Sequence, residues 1–272
     1  MPRPSRTFDR LVGKAAIVTG AGSPEGGIGR TIALLLAAEG AAVSVVDVDA
    51  PRAEATAREI AEAGGSAHVL IGDISDPEVC RQIVADSAAA AGGVDILVNN
   101  VGISSSNPLV NVDFAAWSRV FDINLKTAVA MSSFAVPEMQ ARGGGAIVNI
   151  ASIAGISGYG GSVAYGPSKA AMIALTRDIA AMHGRDGIRA NAVAPGHVYT
   201  PHIGHMFSDA MRAARRRVAP LGVEGDAWDV AEAVLFLVSD AARFITGVLL
   251  PVDGGVTAIG PMAGHAFISR GD

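Results

Sequence analysis

"TGAGSPEGGIGR", Thr19–Arg30, sits between an apolar run, "AAIVT" (Ala15–Thr19), and an Ala-rich stretch reaching Glu39. It holds too many glycines for a helix. A turn between a strand and a helix points backbone N–H groups outward, and the helix dipole adds partial positive charge there. Glycine lets a phosphate approach that backbone closely. Gly20, Gly22, Gly27 and Gly29 are placed for this, with Ile28 as the first helical residue. The competing reading is a glycine-rich turn with no ligand. The next strand, "AVSVVD" (Ala42–Asp47), bears on the choice because it ends in a carboxylate. Asp47 can accept hydrogen bonds from both hydroxyls of an adenine ribose and would repel a 2′-phosphate. Val48, Asp49 and Ala50 follow it, with no arginine. The pattern favours NAD over NADP.

Outward from this turn, short β-type runs alternate with long Ala-rich stretches. Strands are predicted at Ala15–Thr19, Ala42–Asp47, Ala67–Gly72, Asp95–Asn100, Gly145–Ser152, Ile188–Ala194 and Gly247–Asp253. Helices are predicted at Ile28–Glu39, Pro51–Ala63, after Asp76-Pro77, at Asp113–Gln140, Val163–His183 and Ala227–Ser239. The strands are apolar without alternation, as a parallel sheet covered on both faces requires. The expected fold is α/β: one Rossmann-type doubly wound parallel sheet of about seven strands with helices on both faces. No Pro/Ser-rich linker or internal repeat divides the chain, so residues 1–272 are expected to form a single catalytic domain. The largest interruption, 197–224, is expected to be a lid inserted over the site, and 256–272 a C-terminal tail.

Half of the 272 residues are hydrophobic and the formal net charge is −5. A sizeable core is feasible. The absence of a long basic block argues against nucleic acid as a partner. The single cysteine, Cys80, excludes an internal disulfide and fits a reducing compartment. "MPRPSRTFDRLVGK" lacks the apolar centre of a signal peptide, and no apolar run reaches membrane-spanning length. A cytoplasmic protein without a membrane partner is expected.

Three further stretches carry chemistry: "FDINL" with Asn124, "NIASIAG" with Ser152, and "YGPSK" with Tyr165 and Lys169 four residues apart on one helical face. With these, the chain resembles the short-chain dehydrogenase/reductase family from about Leu11 to about Gly255. The same ordered set includes Asp73 in "GDIS", "NNVG" at Asn99–Gly102, "PG" at Pro195–Gly196 with Thr200, and "DGG" at Asp253–Gly255. The resemblance implies a catalytic tetrad of Asn124, Ser152, Tyr165 and Lys169. Oxidising an alcohol requires loss of its hydroxyl proton, and free tyrosine, with a pKa of about 10, is a poor base at neutral pH. An ammonium about 4 Å away would lower that pKa by about three units at an effective dielectric of about 20. By resemblance, Lys169 also holds the nicotinamide ribose, Ser152 bonds the substrate oxygen, and Asn124 holds a water in a proton relay. Asp73 and Ile74 are expected at the adenine. Asn99 and Gly102 line the cleft, with a strand-tying role for Asn99 equally open. Pro195, Gly196, Val198 and Thr200 border the nicotinamide.

The chain departs from the family pattern in its first turn, where Pro24-Glu25-Gly26 reads as an insertion. Val101 also replaces a usual alanine, and Pro167 lies between Tyr165 and Lys169. A proline is tolerated in a first helical turn, so the helix is expected to begin just before Tyr165. A substrate pocket is expected from Ile103, Ile153, Tyr159, His197, Met206 and Phe207. No metal site is expected from His197, His202 and His205, which have no acidic or cysteine partner in sequence. The basic run Arg212–Arg217 reads either as a solvated or oligomer face or as an attractor for an acidic substrate. The expected function is NAD-dependent interconversion of a secondary alcohol and a ketone in a homotetramer. The alternatives are an NADPH-dependent 3-oxoacyl-type reductase and a non-catalytic dinucleotide-binding protein.

Overall fold

The computed structural model describes residues 9–24, 26–200 and 207–260. Its strands are β1 (Ala15–Thr19), β2 (Ala42–Asp47), β3 (Ser66–Ile71), β4 (Ile96–Asn99), β5 (Gly145–Ile150), β6 (Ile188–Pro195) and β7 (Leu249–Val252). They form one sheet in the order β3-β2-β1-β4-β5-β6-β7. Every pairing is parallel. The helices are α1 (Ile28–Ala38), α2 (Ala50–Glu62), α3 (Pro77–Ala91), α4 (Phe114–Phe121), α5 (Thr127–Ala141), α6 (Tyr165–His183), α7 (Asp209–Val218) and α8 (Ala227–Val238).

Alternate residues of each inner strand feed two separate cores. Val18, Val45, Val98 and Val148 pack under α1 and α8 with Ile32, Leu35, Val234 and Leu237. Ile17, Val46, Leu97 and Ile147 face the other way, against Val84 of α3, Met131 and Met139 of α5 and Ile179 of α6. This is why the strands read as unbroken apolar runs. The edge strands β3 and β7 are only half-buried, since each has a neighbour on one side only.

Two elements differ from the sequence expectation. The expected helix Asp113–Gln140 is α4 and α5 joined by a π-helical turn, Asp122–Lys126. The expected lid insertion contains α7, whose N-cap Ser208 accepts from the Met211 N–H. Its apolar residues Ala210, Ala213, Ala214 and Val218 recur at helical spacing, although none of them is buried. As expected, α6 begins at Tyr165, with Pro167 in its first turn.

The strand order reverses between β1 and β4, the point where an open α/β sheet leaves a crevice at its carboxyl end. The glycine-rich turn, Gly102, Ser152 and Gly196 all follow strands that end on that crevice.

Candidate active site

The glycine-rich turn is held from three sides. Asn100 donates from Nδ2 to the Thr19 carbonyl at 3.0 Å, and its N–H donates to Thr19 Oγ1 at 2.9 Å. The Arg30 N–H donates to Ser23 Oγ at 3.1 Å. The inserted residues close on themselves: the Gly27 N–H donates to the Pro24 carbonyl at 2.8 Å, and Gly26 takes φ +72°. This contact closes the chain locally between Pro24 and Gly27. Glu25 lies outside the described residues. A Cβ on Gly22 would stand 2.8 Å from Asp47 Cγ, and one on Gly29 would overlap the Gly20 carbonyl oxygen. That overlap is with backbone and cannot be relieved by a rotamer. Gly29→Ala is expected to cost about 1–3 kcal/mol through forced backbone shift. It should also weaken dinucleotide binding at least about tenfold, as 1.4 kcal/mol of misfit does. Thermal unfolding and titration calorimetry read the two effects.

Asp47 ends β2 and turns back to this loop. Its Oδ2 accepts from the Gly22 N–H at 2.9 Å and its Oδ1 from the Asp49 N–H at 3.1 Å. Each carboxylate oxygen keeps a free lone pair.

Asn124 lies inside the π-helical turn and is fully buried. The bulge aims its amide at the β4–α4 segment. Nδ2 donates to the Ile103 carbonyl at 2.9 Å and to Ser168 Oγ at 3.0 Å, and Oδ1 accepts from the Ile103 N–H at 2.7 Å. Both amide protons are thus committed. A relay water would meet only the second lone pair of Oδ1 or the main chain. Ser152 leaves β5 in extended conformation and caps a 3-10 turn, Ile153–Gly155, through the Ala154 N–H at 3.1 Å. Its side chain lies near enough to the Tyr165 hydroxyl to favour that group's ionised form. Lys169 is 3% exposed, and its Nζ donates to the Ile150 carbonyl at 2.8 Å.

Lys169 Nζ lies 6.0 Å from the centre of the Tyr165 ring and is held by a β5 carbonyl. Burial pushes the Tyr165 hydroxyl above its ordinary pKa; the neighbouring Ser152 side chain opposes this, and nearby Tyr159 adds to the rise. Burial also lowers the Lys169 ammonium to about 8. In both groups desolvation, which disfavours the charged form, is the largest cause.

Of the other expected cofactor residues, Ile28 opens α1, and Ile74 is buried beneath the crevice rim. Asp73 is exposed, and its carboxyl is held below the ordinary range by the Ser75 N–H. Asn99 gives its amide to Asn149 Oδ1 at 2.9 Å and Ser132 Oγ at 3.2 Å. The Nδ2 of this side chain ties β4 to β5 and α5, which leaves its Oδ1 and its backbone for a cofactor. A Cβ on Gly102 would stand 3.1 Å from Lys169 Nζ and 3.4 Å from Asn124 Oδ1. Pro195 ends β6, and Gly196 packs against Asp253, where a Cβ would clash. Val198 and Thr200 are buried.

The expected substrate residues are only partly brought together. Ile103 and Ile153 flank Asn124 and Ser152 through the contacts above. The rings of Tyr159 and Tyr165 lie 5.5 Å apart, although Tyr159 is exposed. A groove of about 330 Å³ lined by Ile156, Tyr159, Ser162, Gly166 and Pro167 includes neither Ser152 nor Tyr165. His197 Nδ1 lies 3.3 Å from the Arg215 carbonyl, so this nitrogen carries the proton and donates. Burial holds its pKa below the ordinary value. Phe207 lies under the Arg215 guanidinium, 4.2 Å away. Met206, His202, His205 and the 261–272 part of the tail lie outside the described residues. The basic run is not a freely solvated face: Arg212, Arg215 and Arg216 converge on Glu224.

Sequence reasoning missed several residues. Ser168 is fully buried, donates to the Tyr165 carbonyl at 2.7 Å and accepts from Asn124. Asn107 clasps Asp113 through both amide atoms, and its carbonyl accepts from the Val163 N–H. This binds the β4–α4 segment to the start of α6. Only the position of Ser168 inside "YGPSK" offered a signal. The buried Cys80 thiol, raised to about 11 by desolvation, takes no part.

No helix among the described residues is long and apolar enough to cross a membrane. A family model described as enoyl-(acyl carrier protein) reductase matches residues 20–257. The cis-4-hydroxycyclohexanecarboxylate dehydrogenase of Sinomonas cyclohexanicum is 42% identical, over 90% of this chain and 97% of its own. The cyclohexanol dehydrogenase of an Acinetobacter species is 36% identical, over 90% and 95%. A solved 7α-hydroxysteroid dehydrogenase, in complex with NADH and 7-oxo glycochenodeoxycholic acid, superposes with a TM-score of 0.87 at 34% identity, covering 93% of this chain and 98% of that one. With this sheet, this crevice and these relatives, the chain belongs to the short-chain dehydrogenase/reductase family and is an NAD(P)-dependent oxidoreductase acting on CH–OH groups.

Proposed function

We propose that the enzyme interconverts a secondary alcohol on a ring and the corresponding ketone, with NAD as its cofactor and Tyr165 as the proton carrier. The observation that carries this reading is the placement of Ser152 at the end of β5 close to Tyr165, beside the buried Lys169 that is held by the Ile150 carbonyl. When bound, NAD⁺ supplies the hydride acceptor. Gly20, Gly22, Gly27 and Gly29 offer it backbone in a turn packed so closely that a Cβ at each would meet neighbouring protein atoms, and Asp47 keeps lone pairs for the ribose hydroxyls. Ser152 donates to the substrate oxygen. Tyr165 takes the alcohol proton during oxidation and returns it during reduction. Lys169, with its pKa near 8, exchanges a proton at near-neutral pH. Asn124 fixes the segment at Ile103 that walls the same space.

Ring alcohols are favoured by the names of the relatives, which include cyclohexanol, hydroxycyclohexanecarboxylate and hydroxysteroid dehydrogenases. A 3-oxoacyl-[acyl-carrier-protein] reductase from Thermotoga maritima is also 35% identical. Asp47 weighs against an NADPH-dependent reductase of that type. The test is a panel of cyclic and linear secondary alcohols and 3-oxoacyl thioesters with both cofactors. We expect kcat/KM with NAD⁺ to exceed that with NADP⁺ at least about a hundredfold, as burying a phosphate against an unpaired carboxylate costs several kcal/mol. A preference for NADPH would refute the role of Asp47. Binding of NAD with no turnover across the panel would favour the non-catalytic alternative. We also propose residues 1–272 as one catalytic unit in a cytoplasmic homotetramer, with 197–224 covering the substrate mouth; light scattering tests the assembly.

A further inference from the structure

The segment that leaves the sheet after Pro195 is tied to itself at the neck. The Tyr199 N–H donates to the Gly225 carbonyl at 2.8 Å, and the Gly225 N–H to the His197 carbonyl at 3.2 Å. Between these ends stands α7, and none of its residues is buried. Its arginines reach back instead. Arg212 Nε donates to Glu224 Oε2 at 2.8 Å, and its guanidinium lies 4.0 Å from the centre of the Tyr199 ring. Arg215 Nε stands 2.8 Å from Glu224 Oε1, off the hydrogen-bond line, while Arg215 Nη2 donates to the Val198 carbonyl at 3.1 Å. Arg216 Nη1 completes the set at 3.6 Å. The Glu224 side chain is only 4% exposed and adjoins Gly225 at the neck.

We infer that Glu224 is a positioning residue: it latches α7 onto the Val198–Tyr199 strand end and so holds the substrate lid closed. This rests on the reading of 197–224 as that lid. The physical argument is one of unequal partners. Three cations meet one carboxylate, so its removal leaves three guanidiniums repelling one another at the neck. No residue of α7 is itself buried, so apolar burial of this helix does little to hold it in their place. A helix seated this way belongs to the low-stability end of a structure, where local opening is easy. The contacts Arg215 makes with Val198 and His197 carry any movement of α7 to the end of β6.

The test uses the full chain with NAD⁺ bound, carrying Glu224→Gln, Glu224→Asp or Arg212→Gln. Hydrogen exchange of the α7 amides and steady-state kinetics are read together. Glu224→Gln is expected to speed α7 exchange and raise the alcohol KM by about tenfold each, the scale of a lost half-buried ion-pair partner. KM for NAD⁺ and kcat should move less than about twofold on the same scale. Glu224→Asp keeps the charge and should recover much of the alcohol KM. Arg212→Gln, a change at a partly exposed position, should move both readouts in the same direction and serves if Glu224→Gln does not fold. Unchanged α7 exchange would overturn the latch. Faster exchange with an unmoved alcohol KM, or with an equal rise in the KM for NAD⁺, would overturn the positioning role. If the unaltered enzyme oxidises no alcohol, the functional reading fails, and α7 exchange alone still decides the latch.

Discussion

Tyr165→Phe is expected to lower turnover by about 10³-fold or more, the upper range for loss of a general acid–base group. NAD affinity should stay within about threefold, less than 1 kcal/mol. Phenylalanine keeps the ring and its packing against Tyr159, 5.5 Å away. It removes only the hydroxyl beside Ser152. Full activity in this variant would sink the proposed mechanism. The parent enzyme offers a second reading of the same group. Burial raises the Tyr165 pKa, so the deprotonated base stays scarce at neutral pH. The fraction of base grows with pH. Alcohol oxidation by kcat/KM should therefore keep climbing into the alkaline range, and ketone reduction, which needs the protonated form, should fall. A flat oxidation profile from neutral pH upward would show that the base is another group, or that the cofactor reverses the shift.

Lys169→Met should act in opposite directions on activity and stability. Activity should fall by about 10²–10⁴-fold, since the lysine is the proposed partner in proton exchange. The cofactor-free protein should become more stable at pH 7. Lowering the Lys169 pKa from 10.5 to about 8 means that keeping the ammonium charged in the core costs about 3 kcal/mol. The hydrogen bond to the Ile150 carbonyl returns about 1.5–3 kcal/mol, and methionine loses it. A net gain of about 1 kcal/mol is expected from these two opposing effects. The pH dependence follows from the sign of the shift. Between pH 8 and 10.5 the unfolded chain binds more protons at this site than the folded one. Parent stability therefore gains from this lysine as pH rises through that window. The advantage of Lys169→Met should be full below pH 8 and lost above 10.5. Urea unfolding of both proteins at neutral and alkaline pH measures it. A variant less stable than the parent at pH 7 would mean that the lost hydrogen bond outweighs the buried charge.

The legible part of the site was the part carried by local sequence. Tyr165 and Lys169 share a helical face at a spacing of four. Asp47 stands at the end of an apolar run, and the glycines interrupt a strand–helix passage. Each follows from chain geometry over a few residues. The extra turn at Pro24–Gly27 was legible for the same reason, because proline and glycine act on their own backbone. Less visible was α7, whose apolar residues are interleaved with four arginines and not buried.

The sequence by itself determined the doubly wound sheet, because unbroken apolar strands between Ala-rich helices can be buried only with helices on both faces. It also determined which residues stand at the carboxyl ends of those strands. Only the tertiary structure decided how those residues meet. Asn124 faces Ile103 and Ser168 because a π-helical turn shifts it by a residue. Asn99 turns its amide into the sheet toward Asn149. Lys169 bonds a β5 carbonyl, and burial is the largest influence on the Tyr165 pKa. Arg212, Arg215 and Arg216 close on Glu224, a carboxylate beyond the end of their own helix. These outcomes depend on desolvation and on contacts between segments distant in the chain, and neither is a property of any short stretch of sequence.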